Sequence, residues 1–380
     1  MVERVVAFTD TYLPTVNGVT YAVRAWRDRW LRRGGRMDVV FPAGDHDPDR
    51  FEHPVGSVAL PFYDGYRLGG PRLPDAVAAD ADAVDVVHAH TPFAVGLAAL
   101  RLARRAGAPL VATYHTPAPA YVRYLAPTDR LAAALGRATD AYERWFYGRA
   151  DLVLAPTRTT RRHLRERVAL DAPVRVVSNG VDLERFRPVD ATAFRERYGL
   201  DAPVVGYTGR HGHEKNLGEL LEAVAGLDDV TLVLGGDGPA RDRLERRAAG
   251  LGVDARFLGF RDRSELPELY AALDAFAHPS PVETQGLVAL ESIACGTPVV
   301  AVDAGALAET VDEGATGYRY RPGDVGAFRA AIRRTLAERG ALERGCLAAR
   351  ERLGLDRSLD RAQRLYEAVC DRERAAVEEP

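Results

Sequence analysis

Six short apolar runs dominate the first half of the chain, each rich in valine and bounded by turn residues: "RVVAF", "RMDVVF", "VDVVHAH", "PLVATYH", "DLVLAP" and "VRVVS". Between them lie helix-length amphipathic stretches such as "TYAVRAWRDRWLRRG" and "TPFAVGLAALRLARRAG". Runs this short and this uniformly apolar read as strands buried on both faces, with the helices carrying the chain back across the sheet. The rhythm dictates a parallel sheet covered on both sides. It pauses at "VDLERFRPVDATAFRERYGLDAP" and restarts with "VVGYTG", "VTLVLGG", "ARFLGF", "DAFAHPS" and "PVVAVD". At 380 residues the chain can fill two hydrophobic cores. The expectation is an α/β protein of two doubly wound domains, residues 1–190 and 191–355. A closing helix and tail over 356–380 can pack back on the first domain.

Composition narrows the function classes. A net charge of -3 argues against a nucleic-acid partner, which calls for a large basic excess. Cys295, Cys346 and Cys370 are too far apart for a disulfide framework or a zinc site, so a reducing, cytoplasmic setting is expected. "MVERVVAFTD" has no apolar core of a signal peptide, and no run reaches the length of a membrane span. The charge is uneven, however. Between Arg101 and Arg187 there are sixteen arginines against eight acids, five of them in "TRTTRRHLRERV". One reading is a solvated helix face. The other is an electropositive surface for anionic lipid at the inner face of the cell membrane.

Open parallel sheets bind ligands beyond the carboxyl ends of their strands. The unusual residues of this chain gather there. After the first strand comes the Asn17–Gly18 turn, and after "VVGYTG" come Gly209, Arg210 and Lys215, the single lysine in the chain. Gly236, Asp237 and Gly238 follow "LVLGG", and "PVETQGLVALESIACG" places Glu283 and Glu291 on either side of a helix start at Gly286. Each taken alone reads as ion-pair scaffolding. Together, two cations, glycine amides and a helix N-terminus suit a diphosphate, and two carboxylates suit sugar hydroxyls.

These stretches carry a resemblance. "PSPVETQGLVALESIACGTPVVA", "GATGY", "GRHGHEKN", "GGDGPARDRL", "ELYAALDAFAHPS" and "VVSNGVDLERFRP" are together similar to the retaining glycosyltransferases of family 4. The similarity runs over essentially the whole chain and implies the GT-B fold, two Rossmann-like domains facing a central cleft. It also implies transfer of a hexose from a nucleotide diphosphate sugar, UDP-glucose or GDP-mannose first, to an acceptor hydroxyl. By that resemblance Arg210 and Lys215 hold the donor diphosphate, Glu291 takes the ribose hydroxyls and Glu283 reaches the transferred sugar. Gly286, Leu287 and Val288 join the phosphate cradle, and Gly18 approaches it from the other domain. His115 in "ATYHTPAPAYVRY" resembles the histidine that faces the sugar, and base selection falls near Phe260 and Arg261. The resemblance calls for no metal and no cofactor. The sequence departs in reading Glu-Thr-Gln-Gly where many members have Phe before the glycine. That variant, with Tyr121 and Tyr124 after "YHT", resembles members acting on glycerolipids and points to a lipid or lipid-linked glycan acceptor.

Other readings fare less well. "GGDGPA" lacks the third glycine of a dinucleotide fingerprint, and Lys215 lacks the flanking residues of a Walker loop. Asp45, Asp47 and Asp49, and Asp80 and Asp82, lie in turn-like stretches unsuited to a metal-binding pair. His88 and His90 are read as pointing to opposite faces of their strand, unable to share a metal. The same chemistry on a soluble sugar, and a sugar-binding protein without catalysis, remain as alternatives.

Overall fold

The computed structural model describes residues 2–59, 66–115 and 129–378, and in it the expected strands form in order. The first unit holds β1 (Arg4–Phe8), β2 (Arg36–Pro42), β3 (Glu52–Val55), a small antiparallel pair of β4 (Ser57–Ala59) and β5 (Arg67–Gly69), then β6 (Val86–Ala89), β7 (Leu110–Thr113), β8 (Leu152–Ala155) and β9 (Val174–Val176). Seven of them make one parallel sheet in the order β3-β2-β1-β6-β7-β8-β9. The second unit holds β10 (Val204–Thr208), β11 (Thr231–Gly235), β12 (Ala255–Gly259), β13 (Ala275–His278), β14 (Val299–Val302) and β15 (Gly317–Tyr320). These pair in parallel as β12-β11-β10-β13-β14-β15. Both sheets reverse strand order beside their first strand, at β1/β6 and β10/β13. In each, the loops leaving those two strands diverge and open a crevice at the carboxyl edge. The central strands are buried throughout, which explains the valines of β1 and β10: a β-branched side chain packs well on a pleated surface covered on both faces.

The units are Met1–Asn179 with Leu355–Pro380, and Gly180–Gly354. The division falls eleven residues before the sequence boundary. Phe186, fully buried, packs in the second core against Tyr270, and Val181 bridges to Gly354. Arg350 donates to the carbonyls of Leu183 and Phe186, so "VDLERFRPVD" is tied to the second unit although it reads as linker. The chain then returns. The last helix, Leu355–Glu378, buries Leu355, Leu359, Ala362, Tyr366, Val369 and Cys370 in one core with Val5, Ala7, Trp26 and Trp30. That spacing is one stripe of a helix, and Arg33 pins its start through Asp356 at 2.7 Å and Asp360 at 2.8 Å. Among the described residues no helix is long and apolar enough to cross a membrane.

Candidate active site

Two loops of the second unit are fastened to each other before any functional side chain is placed. Leaving β10, Gly209 donates its N–H to Gly235 O at 3.0 Å and His211 donates to Asp237 O at 2.8 Å; Ala240 returns a bond to His211 O at 2.9 Å. Backbones this close leave no room for side chains. A Cβ on Gly236, at φ +116°, would sit 2.0 Å from Gly209 O, and one on Gly238 would meet three backbone atoms of His211 within 3 Å. Glycine is therefore demanded here by loop contact. Gly236→Ala is expected to destabilise the second unit by about 1–3 kcal/mol or more through strain alone. Gly250→Ala, on an open helix face, should instead be neutral or raise stability by about 0.5–1 kcal/mol. Paired thermal melts of the two variants check this.

The fastened loop then turns through His213–Lys215 to Asn216, whose left-handed φ of 53° starts the helix Leu217–Val224. This geometry brings Lys215 to Glu283, 68 residues away: Nζ donates to Oε1 at 2.6 Å, both side chains being 15% exposed. His278, the last residue of β13, lies 3.2 Å from the same oxygen through Nε2. Its Nδ1 is buried without a partner. Nε2 donates to the carboxylate, which can only accept. Burial would raise the Glu283 carboxyl, but Lys215 and His278 together hold it well below the usual carboxylate range. The result is a permanently ionised acceptor beside a single mobile ammonium.

Glu283 leads into Gly286, at φ +74°, which begins the helix Leu287–Ala294. No side chain caps that N-terminus, so the Leu287 and Val288 amides are among the orphan donors every helix presents at its start. One turn on, Glu291 is buried, accepting from Arg263 Nη2 at 2.7 Å and from the Tyr270 hydroxyl at 3.0 Å. With its proton committed to Glu291, Tyr270 accepts from Thr208 Oγ1 at 2.8 Å. Arg263 also lies 4.9 Å over the Phe186 ring. The Glu291 carboxylate is thereby fixed in orientation, and each oxygen keeps a second lone pair for a ligand hydroxyl.

Other expected residues are placed differently. Arg210 lies 3.4 Å from Glu214, its neighbour in the same turn, and not on Glu283. Asp237 accepts from Gly238 N and from Arg241, closing its own turn. Arg261 reaches Phe260 O and the Tyr198 hydroxyl. In the first unit, Asn17 caps the helix Gly18–Arg32, accepting from Val19 N and Thr20 N at 3.0 Å and donating to Thr11 Oγ1 and Tyr66 Oη. Gly18 is the first residue of that helix. His115 is buried, 3.0 Å from His90. Tyr121 and Tyr124 lie outside the described residues.

The reading of His88 and His90 is corrected. Their rings lie against each other on one side of the strand, centroids 4.0 Å apart and planes tilted by 31°. Residues two apart in a strand share a face, so the pair cannot alternate across it. His278, Arg263 and Tyr270 were not singled out in the sequence. His278 carried a signal, a histidine at the carboxyl end of a strand five residues before Glu283; Arg263 and Tyr270 acquire meaning only by contact.

Comparison with known proteins bears on the family and the fold. Residues 16–185 match the family described as Glycosyltransferase Family 4, and residues 190–352 match Glycosyl transferases group 1. A GDP-mannose-dependent alpha-mannosyltransferase of Mycobacterium tuberculosis is 33% identical over 333 residues, 84% of each chain. The alpha-monoglucosyldiacylglycerol synthase of Streptococcus pneumoniae is 31% identical over 78% of this chain and 70% of its own. Among solved structures, sucrose-phosphate synthase of Thermosynechococcus elongatus superposes with a TM-score of 0.76 at 22% identity, covering 97% of this chain and 99% of its own. Anabaena HepE, solved with UDP-glucose, gives 0.74 at 22% identity over 96% and 99%. With both matched segments, relatives above 30% identity along most of its length and two Rossmann-type sheets, the chain belongs to glycosyltransferase family 4 and is a hexosyltransferase of the GT-B fold.

Proposed function

We propose that this enzyme transfers a hexose, with retention at the anomeric carbon, from GDP-mannose or UDP-glucose to a hydroxyl of a membrane glycerolipid or lipid-linked glycan. The observation that carries the reading is the Lys215–Glu283–His278 constellation beside the uncapped helix at Leu287. In the reaction the bond from the anomeric carbon to the β-phosphate oxygen breaks, and its electron pair leaves with the nucleoside diphosphate. A bond to the acceptor oxygen forms on the same face, and the acceptor's proton passes to the departing phosphate. Lys215, Arg210 and the Leu287 and Val288 amides meet the charge that grows on the phosphate. Glu283 accepts from a hydroxyl of the moving sugar and Glu291 from the ribose, and the family resemblance assigns His115 to the sugar. Two side-chain cations and helix amides supply the charge otherwise drawn from a divalent ion, so the reaction is proposed to need none.

The lipid acceptor is supported by two features besides the synthase-type relative. Leu131, Leu135 and Trp145 stand exposed along the helix Asp129–Tyr147, and Arg149 stacks 4.3 Å over Trp145. The surrounding segment is the arginine-rich one, and each base near an anionic bilayer contributes about 1 kcal/mol. A thermal-shift screen of UDP, GDP and ADP with their sugars tests the donor. The expected result is stabilisation by GDP-mannose or UDP-glucose, unchanged by EDTA; stabilisation that EDTA abolishes would reject the metal-free reading. Sedimentation with anionic vesicles tests the acceptor surface. Failure to pellet at low salt, with turnover on soluble glycosides, would favour a soluble sugar acceptor instead.

A further inference from the structure

Four buried side chains of the first unit form a connected row that the proposed chemistry does not yet use. The Tyr366 hydroxyl, on the last helix, lies 2.7 Å from His88 Nδ1, and His88 Nε2 lies 2.7 Å from Thr113 Oγ1. His88 is thereby held at both nitrogens and presents its face to His90. Trp26 closes the other approach, edge-on to His90 at 6.3 Å between centroids. His90 in turn reaches His115: Nδ1 to Nε2 is 3.0 Å, with ring planes only 19° apart. That is an in-plane hydrogen bond between two imidazoles.

The direction of this bond follows from what surrounds His90. The ring is 2% exposed and its Nε2 has no partner. A neutral imidazole carries one proton. On Nε2 that proton would be an orphaned buried N–H, which folded proteins almost never tolerate, whereas a bare acceptor is left unpaired more often. Burial keeps both rings neutral, so no second proton relieves the choice. We infer that His90 is a positioning residue that donates its Nδ1–H to His115 Nε2 and so fixes His115 in the tautomer protonated at Nδ1. In that tautomer the Nδ1 edge of His115 carries an N–H donor and not a lone pair. The consequence for turnover rests on the proposed assignment of His115 to the transferred sugar; the tautomer itself does not.

The test is a long-range proton–nitrogen correlation spectrum of the full chain labelled at histidine nitrogens, with His115 identified by comparison with His115→Gln. The wild type should show His115 protonated at Nδ1 and bare at Nε2. His90→Phe, which keeps a ring but no donor, should move the proton toward Nε2 and lower kcat by about 10- to 100-fold with little change in donor KM. His90→Asn restores a donor near the same place and should recover both. A wild-type His115 protonated at Nε2 overturns the inference, and this needs no variant to fold. So does a His90→Phe spectrum that keeps the Nδ1 proton. If the tautomer behaves as expected but His115→Gln turns over normally, the sugar assignment falls and the positioning role stands.

Discussion

Lys215→Arg is expected to lose about 100- to 1,000-fold in turnover while the protein melts as the wild type does. Lys215 is the single lysine among 51 basic residues, in a chain that uses arginine everywhere else. Its site gives the reason. Its side chain is 15% exposed, and Nζ sits 2.6 Å from a carboxylate that His278 also contacts. An ammonium on a flexible stem can leave Glu283 for a phosphate oxygen and return. A guanidinium is planar, spreads its charge over a fork and would clamp the Glu283 carboxylate with two bonds. Charge is kept and the fold's demand for a cation is met, so the loss should fall on kcat with the donor. Steady-state kinetics beside circular-dichroism melts decide it, and turnover within a few-fold of wild type would show that any cation suffices.

Acid should weaken the first unit more steeply than the second, where His211 is the one described histidine that burial holds below its ordinary value. Burial pushes His88 and His115 down to about 3 and His90 well below its ordinary value, so all three are neutral in the fold. In the unfolded chain each titrates near 6.5. Below that pH the unfolded state binds more protons, and stability falls as pH falls. Each histidine contributes a slope of about 1.4 kcal/mol per pH unit from about pH 6.5 down toward the folded values, with no effect above. Glu283 has the opposite origin and a lower window. Its depressed pKa favours the fold above about pH 4.3, and that contribution is lost only below. Urea midpoints for the first unit, followed by Trp26 and Trp30 fluorescence between about pH 7.5 and 5, should therefore drop together. A flat profile would mean that the stack takes up protons without unfolding.

Much of this was legible in the residues. Strand runs, helix stretches and the restart after "VRVVS" follow from local periodicity, which is one-dimensional and survives in sequence. The glycine-rich loops and paired glutamates stood at strand ends where an open sheet leaves amides exposed. The boundary was less legible, because whether "VDLERFRPVD" is linker or core depends on Phe186 finding Tyr270, a contact 84 residues away. The histidine pair was misread through a parity error that the pleat settles at once.

Sequence alone determined the fold class, the family and the residue types at the site, because these rest on periodicity and on motifs that are contiguous in the chain. Tertiary structure decided which partner each of those residues has. Lys215 holds Glu283 while Arg210 holds Glu214, Arg263 and Tyr270 orient Glu291, and the last helix returns to set Tyr366 against His88. Each such pairing depends on strand order and on loop closure over tens to hundreds of residues. Charge and hydrogen bonding then act over a few ångströms, a distance that only the folded chain defines.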